Sequence, residues 1–204
     1  MKHPLKSICT LVATLITFGS LAGGANGAVI VDNLESNQLT GQTNDYGQSF
    51  IFSNGTSWNS LTVSLFSTAG NPSATPFAAG TLFLLDSEYL GAQAALSPAT
   101  AGFIAETSNV INGEWVFNPT KSIDANTQYW IYTQGEAITP IAFNDSNNYA
   151  DGIAYQDTGG GYGAASYADL AFSIQGSAVP EPSSVFLFGI GSLLGFTVRR
   201  RRVN

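Results

Sequence analysis

The central part of the sequence predicts an all-β fold, a β-sandwich of the jelly-roll-like kind, and three observations point to it. Apolar residues recur at every second position, as in the stretch that contains Leu61, Val63 and Leu65. No segment carries a sustained helical stripe, since Pro98 and Gly102 interrupt the best candidate. The third observation is a series of turn signals, which are Asn54-Gly55, Gly70-Asn71-Pro72, Asn112-Gly113 and Asn118-Pro119. Many short strands joined by such turns are typical of two packed sheets.

The expected strands follow one another closely through residues 28–178. They run over 28–34, 48–52, 58–67, 80–90, 115–117, 129–133, 138–144, 152–155 and 170–175. A glycine-rich stretch, 159–163, has no lysine after it and no strand-to-helix context. We therefore expect it to be a flexible loop and not a phosphate-binding loop.

The first segment, residues 1–27, has the composition of a signal peptide. Lys2 and Lys6 give a basic start, and an apolar stretch follows over 8–21. Small residues then lead to Gly27, after which we expect cleavage; the alternative position is after Gly24. This segment predicts export.

The last segment, residues 179–204, has three parts. Pro180, Glu181 and Pro182 form an extended spacer, because proline fixes φ and also restricts the residue before it. An apolar run over 185–198 predicts a single transmembrane helix, although at ~1.5 Å per residue it spans only ~21 Å of a ~30 Å hydrocarbon core. A cytoplasmic stop follows, because pulling four charges through lipid is costly; it consists of Arg199, Arg200, Arg201 and Arg202.

This order of motif, apolar helix and basic cluster resembles the PEP-CTERM protein-sorting domain of exopolysaccharide-producing Gram-negative bacteria. The resemblance implies recognition and cleavage near Pro180, Glu181 and Pro182 by an exosortase, a transpeptidase-like membrane enzyme. The chain would lie in the inner membrane during sorting and then reach the cell surface or the extracellular matrix. The alternative is a permanent C-terminal anchor without processing.

The segment between the two ends, residues 28–178, is long enough for one domain with its own core. It is strongly acidic, because Lys121 is its sole basic residue against 13 acids, a net charge of −12. Such a surface argues against nucleic acid as a partner. A cation-bridged polysaccharide is a better fit, and the alternative is that the charge serves only solubility.

The same domain lacks the side chains that many active sites require. The sequence has one histidine, His3, and one cysteine, Cys9, and both precede the domain. It therefore has no disulfide, no nucleophile activated by histidine and no zinc site with His or Cys ligands. Carboxylates, tyrosines and hydroxyls are the groups that remain.

A second resemblance covers most of residues 30–176. The motifs that carry it are Val31-Asp32-Asn33-Leu34, Gln48-Ser49-Phe50, Leu61-Thr62-Val63-Ser64-Leu65, Leu82-Phe83-Leu84, Trp115-Val116-Phe117, Asn126-Thr127-Gln128-Tyr129-Trp130-Ile131 and Ala171-Phe172-Ser173-Ile174. Their order resembles the choice-of-anchor R ectodomain. This implies an extracellular, surface-displayed β-sandwich and supplies no catalytic residue.

Two aromatic residues are a possible glycan platform. Trp130 and Tyr132 share one face of a predicted strand, while Tyr129 and Ile131 share the other. An aromatic face can stack on a sugar ring. In the alternative, Trp130 packs inward and Tyr132 keeps a hydrogen-bond partner for its hydroxyl group. Trp58 and Trp115 carry the same two interpretations.

Hard oxygen ligands cluster shortly after the predicted strand 138–144. Asp145, Asn147 and Asp151 could bind Ca²⁺, although their spacing does not fit an EF-hand loop. The alternative is an Asx-rich surface turn. No other cofactor is expected.

Pairs of carboxylates are the remaining chemical option. Asp86 and Glu88 share a strand face, and Glu114 precedes Trp115. A glycosidase needs two carboxyl groups about 5–9.5 Å apart beside a sugar. With 13 acids in one small domain, such pairs also arise by chance.

Together these features predict a secreted, exosortase-sorted component of the cell surface or exopolysaccharide matrix, with a structural or adhesive role and no enzymatic activity. One alternative is a carbohydrate-binding module, in which Ca²⁺ could take part. A further alternative is a carboxylate glycoside hydrolase. A solvent-facing tryptophan beside clustered carboxylates would favour the binding module.

Overall fold

The computed structural model describes residues 27–39, 44–53, 57–67, 76–117, 122–135, 141–146, 149–165 and 168–179. The predicted signal peptide up to residue 26 lies outside these ranges. So do the sorting motif and the predicted transmembrane helix. Within these ranges, no helix is both long and apolar enough to cross a membrane.

The described residues form fourteen strands and one turn of 3₁₀ helix. The first seven strands are β1 (Ala28–Asn33), β2 (Gln38–Leu39), β3 (Asp45–Phe50), β4 (Trp58–Leu65), β5 (Thr81–Leu85), β6 (Phe103–Thr107) and β7 (Val110–Ile111), with the 3₁₀ helix η1 (Gln93–Ala95) between β5 and β6. The others are β8 (Glu114–Val116), β9 (Tyr129–Gln134), β10 (Ala142–Asn144), β11 (Ala154–Asp157), β12 (Tyr162–Ala165), β13 (Asp169–Leu170) and β14 (Phe172–Ala178).

These strands make two large antiparallel sheets and one small sheet. The five-stranded sheet has the order β1-β14-β4-β8-β7, and the six-stranded sheet has the order β12-β11-β3-β9-β5-β6. A three-stranded sheet, β13-β10-β2, completes the set. The architecture is nearly all β and consistent with the predicted sandwich. The finer jelly-roll-like detail stays a prediction.

The main core lies between the inner faces of the two large sheets. Leu61, Val63 and Leu65 of β4 are all about 1% exposed and share one buried cluster with Leu82 and Leu84 of β5. Full burial of each such side chain contributes about 1.5–3 kcal/mol. The period of two in the sequence therefore identified the inner face of β4, whereas β5 is a continuous apolar run with both faces buried.

The six-stranded sheet is buried on its outer face as well. This face carries an outer aromatic cluster, which consists of Phe83, Leu85, Leu96, Tyr132, Tyr155 and Tyr162. The segment 86–102, which includes η1, lies over it: the Tyr89 backbone N–H donates to the Tyr132 hydroxyl oxygen at 3.1 Å. The Tyr89 and Tyr132 rings meet edge to face with centroids 6.1 Å apart. We call 86–102 the covering segment.

Some local predictions are confirmed and others are wrong. The Asn112-Gly113 turn joins β7 and β8 with φ of 54° and 82°, as a type I′ hairpin requires. The loop predicted at 159–163 is not simply flexible, because Tyr162 opens β12 and Asp157 accepts backbone N–H groups from Gly159 at 2.7 Å and Gly161 at 3.1 Å. Strands β2, β6, β7 and β12 were not predicted.

A glycine on β3 makes room for the centre of the outer aromatic cluster. Gly47 pairs with Tyr132 across β3 and β9, and a Cβ atom there would lie 2.4 Å from a Tyr132 ring carbon. Gly47→Ala should lower the free energy of unfolding by about 1–3 kcal/mol, because the ring is enclosed and cannot move aside. The measurement is urea denaturation of both proteins.

The matched control is Gly163→Ala, also at a strand position. The nearest heavy atom to its added Cβ is the Gln156 carbonyl oxygen at 3.9 Å, an ordinary contact. It should leave stability nearly unchanged or raise it slightly, since Gly costs conformational entropy in a strand. Equal stability losses in the two variants would show that the contact with Tyr132 does not cause the loss in Gly47→Ala.

Candidate functional site

Trp130 lies at the margin of the outer aromatic cluster. Along β9, Tyr129 and Ile131 enter the main core, while Trp130 and Tyr132 are on the outer face, as the strand period predicted. Tyr132 is fully buried under the covering segment, whereas Trp130 is only partly buried. One residue of this pair is therefore accessible to a ligand.

The covering segment is fixed to the sheet by polar contacts at the far end of β9. The Gln134 side-chain amide donates to the carbonyl oxygens of Gln93 at 2.6 Å and Leu96 at 3.1 Å. The Gln93 backbone N–H donates to the Asp157 carboxylate at 2.9 Å. These contacts are at the opposite end of the strand from Trp130, which leaves the indole beside an open groove.

This groove has a volume of about 440 Å³. Its volume is within the range of about 300–1,000 Å³ typical of ligand pockets. Its principal lining residues are Trp130, Tyr155, Ile153, Glu88, Gln128 and Asp151. A second cavity, lined by Tyr46, Phe143 and Leu170 among others, is only about 70 Å³ and too small for a sugar.

A chain of two hydrogen bonds fixes the indole ring and one carboxylate of the groove. The Trp130 indole N–H donates to the Tyr155 hydroxyl oxygen at 3.1 Å, and the Tyr155 hydroxyl donates to Glu88 Oε1 at 2.8 Å. Burial raises the pKa of Tyr155 to about 12, and the neighbouring Glu88 also contributes to the rise. The phenol therefore stays protonated at neutral pH and remains a donor to Glu88.

The loop that carries Asp151 is held firmly against β3. The Tyr149 hydroxyl donates to the Ile51 carbonyl at 2.6 Å, and the Ile153 backbone N–H donates to Ser49 Oγ at 2.9 Å. Gly152 packs so closely that an added Cβ would be 1.9 Å from the Ser49 carbonyl oxygen. Asp151 is therefore presented on a positioned rim.

A buried carboxylate anchors the same loop from below. Asp169 is fully buried and accepts the Tyr149 backbone N–H at 2.9 Å and the Gln48 side-chain amide at 3.1 Å. Gln48 in turn accepts the Leu170 backbone N–H at 2.9 Å. Burial raises the pKa of Asp169 above 3.8, and these two donors offset only part of the rise.

The electrostatics of the groove are set by carboxylates, because the described residues supply no cationic side chain to balance them. The described ranges contain twelve Asp and Glu residues and no Lys, Arg or His. Glu88 and Asp151 are both exposed in the groove. Two carboxylates that share a groove with an indole are the principal chemical character of this site.

The predicted site residues have different outcomes. The prediction that Tyr132 belongs to a glycan platform is wrong, because the covering segment buries it completely; its hydroxyl group does keep a partner, as the alternative stated. Trp58 and Trp115 are both buried in the main core. Trp130 alone stays accessible.

Two of the three predicted calcium ligands lie in the described residues, and each has its own surroundings. Asp145 accepts a hydrogen bond from the Asn37 amide at 2.6 Å, Asp151 lines the groove, and Asn147 is outside the description. No group of three or more His, Cys, Asp or Glu suited to a metal ion occurs in the part that the structure describes. A Ca²⁺ site at these residues stays a prediction.

The groove contains a different pair of carboxylates from those that the sequence suggested. Glu114 accepts a hydrogen bond from the Ser64 hydroxyl on the five-stranded sheet, and Asp86 does not line the groove. Glu88 instead shares the groove with Asp151, which is distant in sequence. No local pattern signals this pair, because antiparallel strand pairing and the covering segment bring it together.

Comparison with known proteins identifies the tail. Residues 178–202 match the family model described as the PEP-CTERM protein-sorting motif. The match supports an exosortase as processing partner, and with it export and membrane-associated sorting. No curated protein and no solved structure matches the chain significantly. The resemblance of residues 30–176 to the choice-of-anchor R ectodomain stays a prediction.

The pH dependence of stability should report on a second buried carboxyl, Asp45. Burial raises the pKa of Asp45 above 3.8, and the charge of Asp157, its partner across β3 and β11, adds to the rise. A carboxyl with a raised pKa in the folded state stabilises that state fully below its unfolded pKa. That contribution is lost as the pH rises through the folded pKa.

The free energy of unfolding should therefore rise as the pH is lowered from about 7 towards 3.8, and Asp45→Asn should reduce that rise. Urea denaturation at a series of pH values measures it. The control is Asp86→Asn, which removes an exposed charge that lines no cavity described above. If both variants keep the same pH dependence, Asp45 does not contribute as described.

Proposed function

We propose that this chain is an exosortase-sorted surface protein whose β-sandwich adheres to polysaccharide through the groove at Trp130. The observation that carries the proposal is a partly exposed indole that Tyr155 holds in place and that shares its groove with Glu88 and Asp151. This is the arrangement of a carbohydrate-binding module. The adhesive role then follows from binding and not from turnover of a substrate.

The tail supports the sorting half of the proposal. The motif match begins at Ala178, the last residue of β14, and Pro180 follows two residues later. Strand β14 lies between β1 and β4 inside the five-stranded sheet. Cleavage near Pro180 to Pro182 would therefore leave every described strand in the released domain.

The groove supports the binding half. A flat indole offers an apolar face for the C–H groups of a sugar ring, and carboxylate and amide oxygens accept its hydroxyl groups. Glu88 and Gln128 supply such acceptors beside Trp130. Because Tyr155 orients the indole before a ligand arrives, little ordering is needed on binding.

Hydrolysis is the competing activity, because Glu88 and Asp151 share the groove. One oxygen of Glu88 already accepts the Tyr155 hydroxyl, which suits a fixed acceptor. A binding protein leaves its polysaccharide intact. Release of reducing ends from a bound polymer would instead support the hydrolase.

Replacement of the sorting motif tests the first half. The triple variant Pro180→Ala, Glu181→Ala and Pro182→Ala should accumulate at full length in the membrane fraction, because the exosortase no longer recognises it. Immunoblots of membrane, surface and medium fractions from an exosortase-containing host measure this. The control variant carries Ser183→Ala and Ser184→Ala and should be processed as usual. Normal processing of the triple variant would contradict the sorting role.

Replacement of the indole tests the second half. Trp130→Ala should weaken binding of the purified chain to its polysaccharide by about tenfold or more, as truncation of a central tryptophan does in other interfaces. A glycan array with and without a calcium chelator finds the polysaccharide, and calorimetry measures the loss.

The matched control is Phe77→Ala, which removes a partly exposed aromatic residue that does not line the groove. It should bind as the unaltered chain does. Circular dichroism confirms that both variants are folded. Absence of binding across the array, or equal binding by the Trp130 variant, would contradict a glycan-binding groove.

A further inference from the structure

We infer that the polysaccharide bound in this groove is an amino-sugar polymer with free ammonium groups. The inference rests on the proposed glycan-binding function and adds the class of ligand. Two features of the groove carry it: the sign of its charge and the direction of its hydrogen bonds.

The charge of the groove selects against acidic sugars. Glu88 and Asp151 are exposed on its walls, and no Lys, Arg or His occurs anywhere in the described ranges. A uronate, sulfate or phosphate group would bring a third negative charge beside these two, and no cationic side chain of the described ranges would balance it. An ammonium group instead forms charge-assisted hydrogen bonds with carboxylates, which are stronger than neutral ones.

The hydrogen bonds of the groove leave acceptors available and use up donors. The Trp130 indole N–H is taken by Tyr155, and the Tyr155 hydroxyl is taken by Glu88 Oε1. The Ser49 hydroxyl donates within the protein, to the Ile153 carbonyl. Among the lining side chains, the Gln128 amide is the donor that remains, whereas Glu88 and Asp151 offer acceptor oxygens. Such a surface fits a ligand rich in donors.

Trp130 distinguishes a sugar from a simple cation. A pyranose ring lies flat against an indole, and a ring that carries an ammonium group adds a cation–π attraction to the same face. Both interactions need the indole in a fixed plane, which the hydrogen bond to Tyr155 provides. A basic peptide could be held by charge alone and would depend less on Trp130.

Calorimetry on the full chain, purified in mild detergent, tests the inference with three probes. These are a β-1,4-linked glucosamine hexamer, its fully N-acetylated counterpart and a hexamer of galacturonate. We expect the glucosamine hexamer to bind about tenfold or more tightly than the acetylated one, since acetylation removes the charge. The galacturonate hexamer should not bind.

Variants then locate the source of the preference. Glu88→Gln and Asp151→Asn remove charge with little change of shape, and each should reduce the preference for the glucosamine hexamer about threefold or more. The control is Glu106→Gln, an exposed acid of β6 that does not line the groove, and it should leave the preference unchanged. If none of the three variants changes the preference for the glucosamine hexamer, the inference is overturned.

The outcomes separate the inference from the proposed function. Equal or tighter binding of the acetylated hexamer, or binding of galacturonate, overturns the amino-sugar inference and leaves a glycan-binding groove standing. Binding of oligolysine that is unaffected by Trp130→Ala, with no binding of any sugar, overturns both and identifies a basic peptide as the ligand. If none of the probes binds, both the amino-sugar inference and the proposed glycan-binding function are contradicted.

Discussion

The six-stranded sheet has to bury both of its faces, and the central strand β9 supplies side chains to each. Tyr129 and Ile131 fill the main core, whereas Tyr132 belongs to the outer aromatic cluster under the covering segment. The cover is fixed by Gln134 at one end of β9 and reaches Tyr132 through Tyr89. Trp130 lies beyond it and remains partly exposed. The groove therefore exists because the covering segment buries Tyr132 but leaves Trp130 partly exposed.

A second constraint is the absence of cations from the described part of the chain. Its buried carboxylates are satisfied by neutral donors instead of ion pairs: Asp157 by backbone N–H groups, Asp169 by Tyr149 and Gln48, and Asp45 by the Thr133 hydroxyl. Burial opposes ionisation of Asp157, but its several backbone donors outweigh that effect and lower its pKa. Donors used in this way are not available to a ligand. The same holds in the groove, where the Trp130 indole N–H and the Tyr155 hydroxyl are both bonded within the protein. In the interior, and at Glu88 in the groove, carboxylates are therefore paired with neutral donors and not with cationic side chains.

The sequence predicted what local rules determine. Period-two apolar residues identified the inner face of β4, and Asn112-Gly113 identified a hairpin turn that needs positive φ. The sorting tail was recognisable because proline geometry, an apolar run and an arginine cluster act on adjacent residues. The site was only half predictable: strand period placed Trp130 and Tyr132 on one face, but the burial of Tyr132 depends on a covering segment without periodic signal. The meeting of Glu88 with Asp151 depends on long-range pairing, which no short motif encodes.

The accessibility of the tryptophans tests the central claim most directly, because Trp58 and Trp115 are 7% and 0% exposed while Trp130 faces the groove. The measurement is acrylamide quenching of tryptophan fluorescence in the unaltered chain and in Trp130→Ala. We expect one readily quenched component that disappears in the variant and is protected by a bound oligosaccharide in the unaltered chain. An equally quenchable component in the variant would mean that another tryptophan is exposed, which would contradict the groove described here.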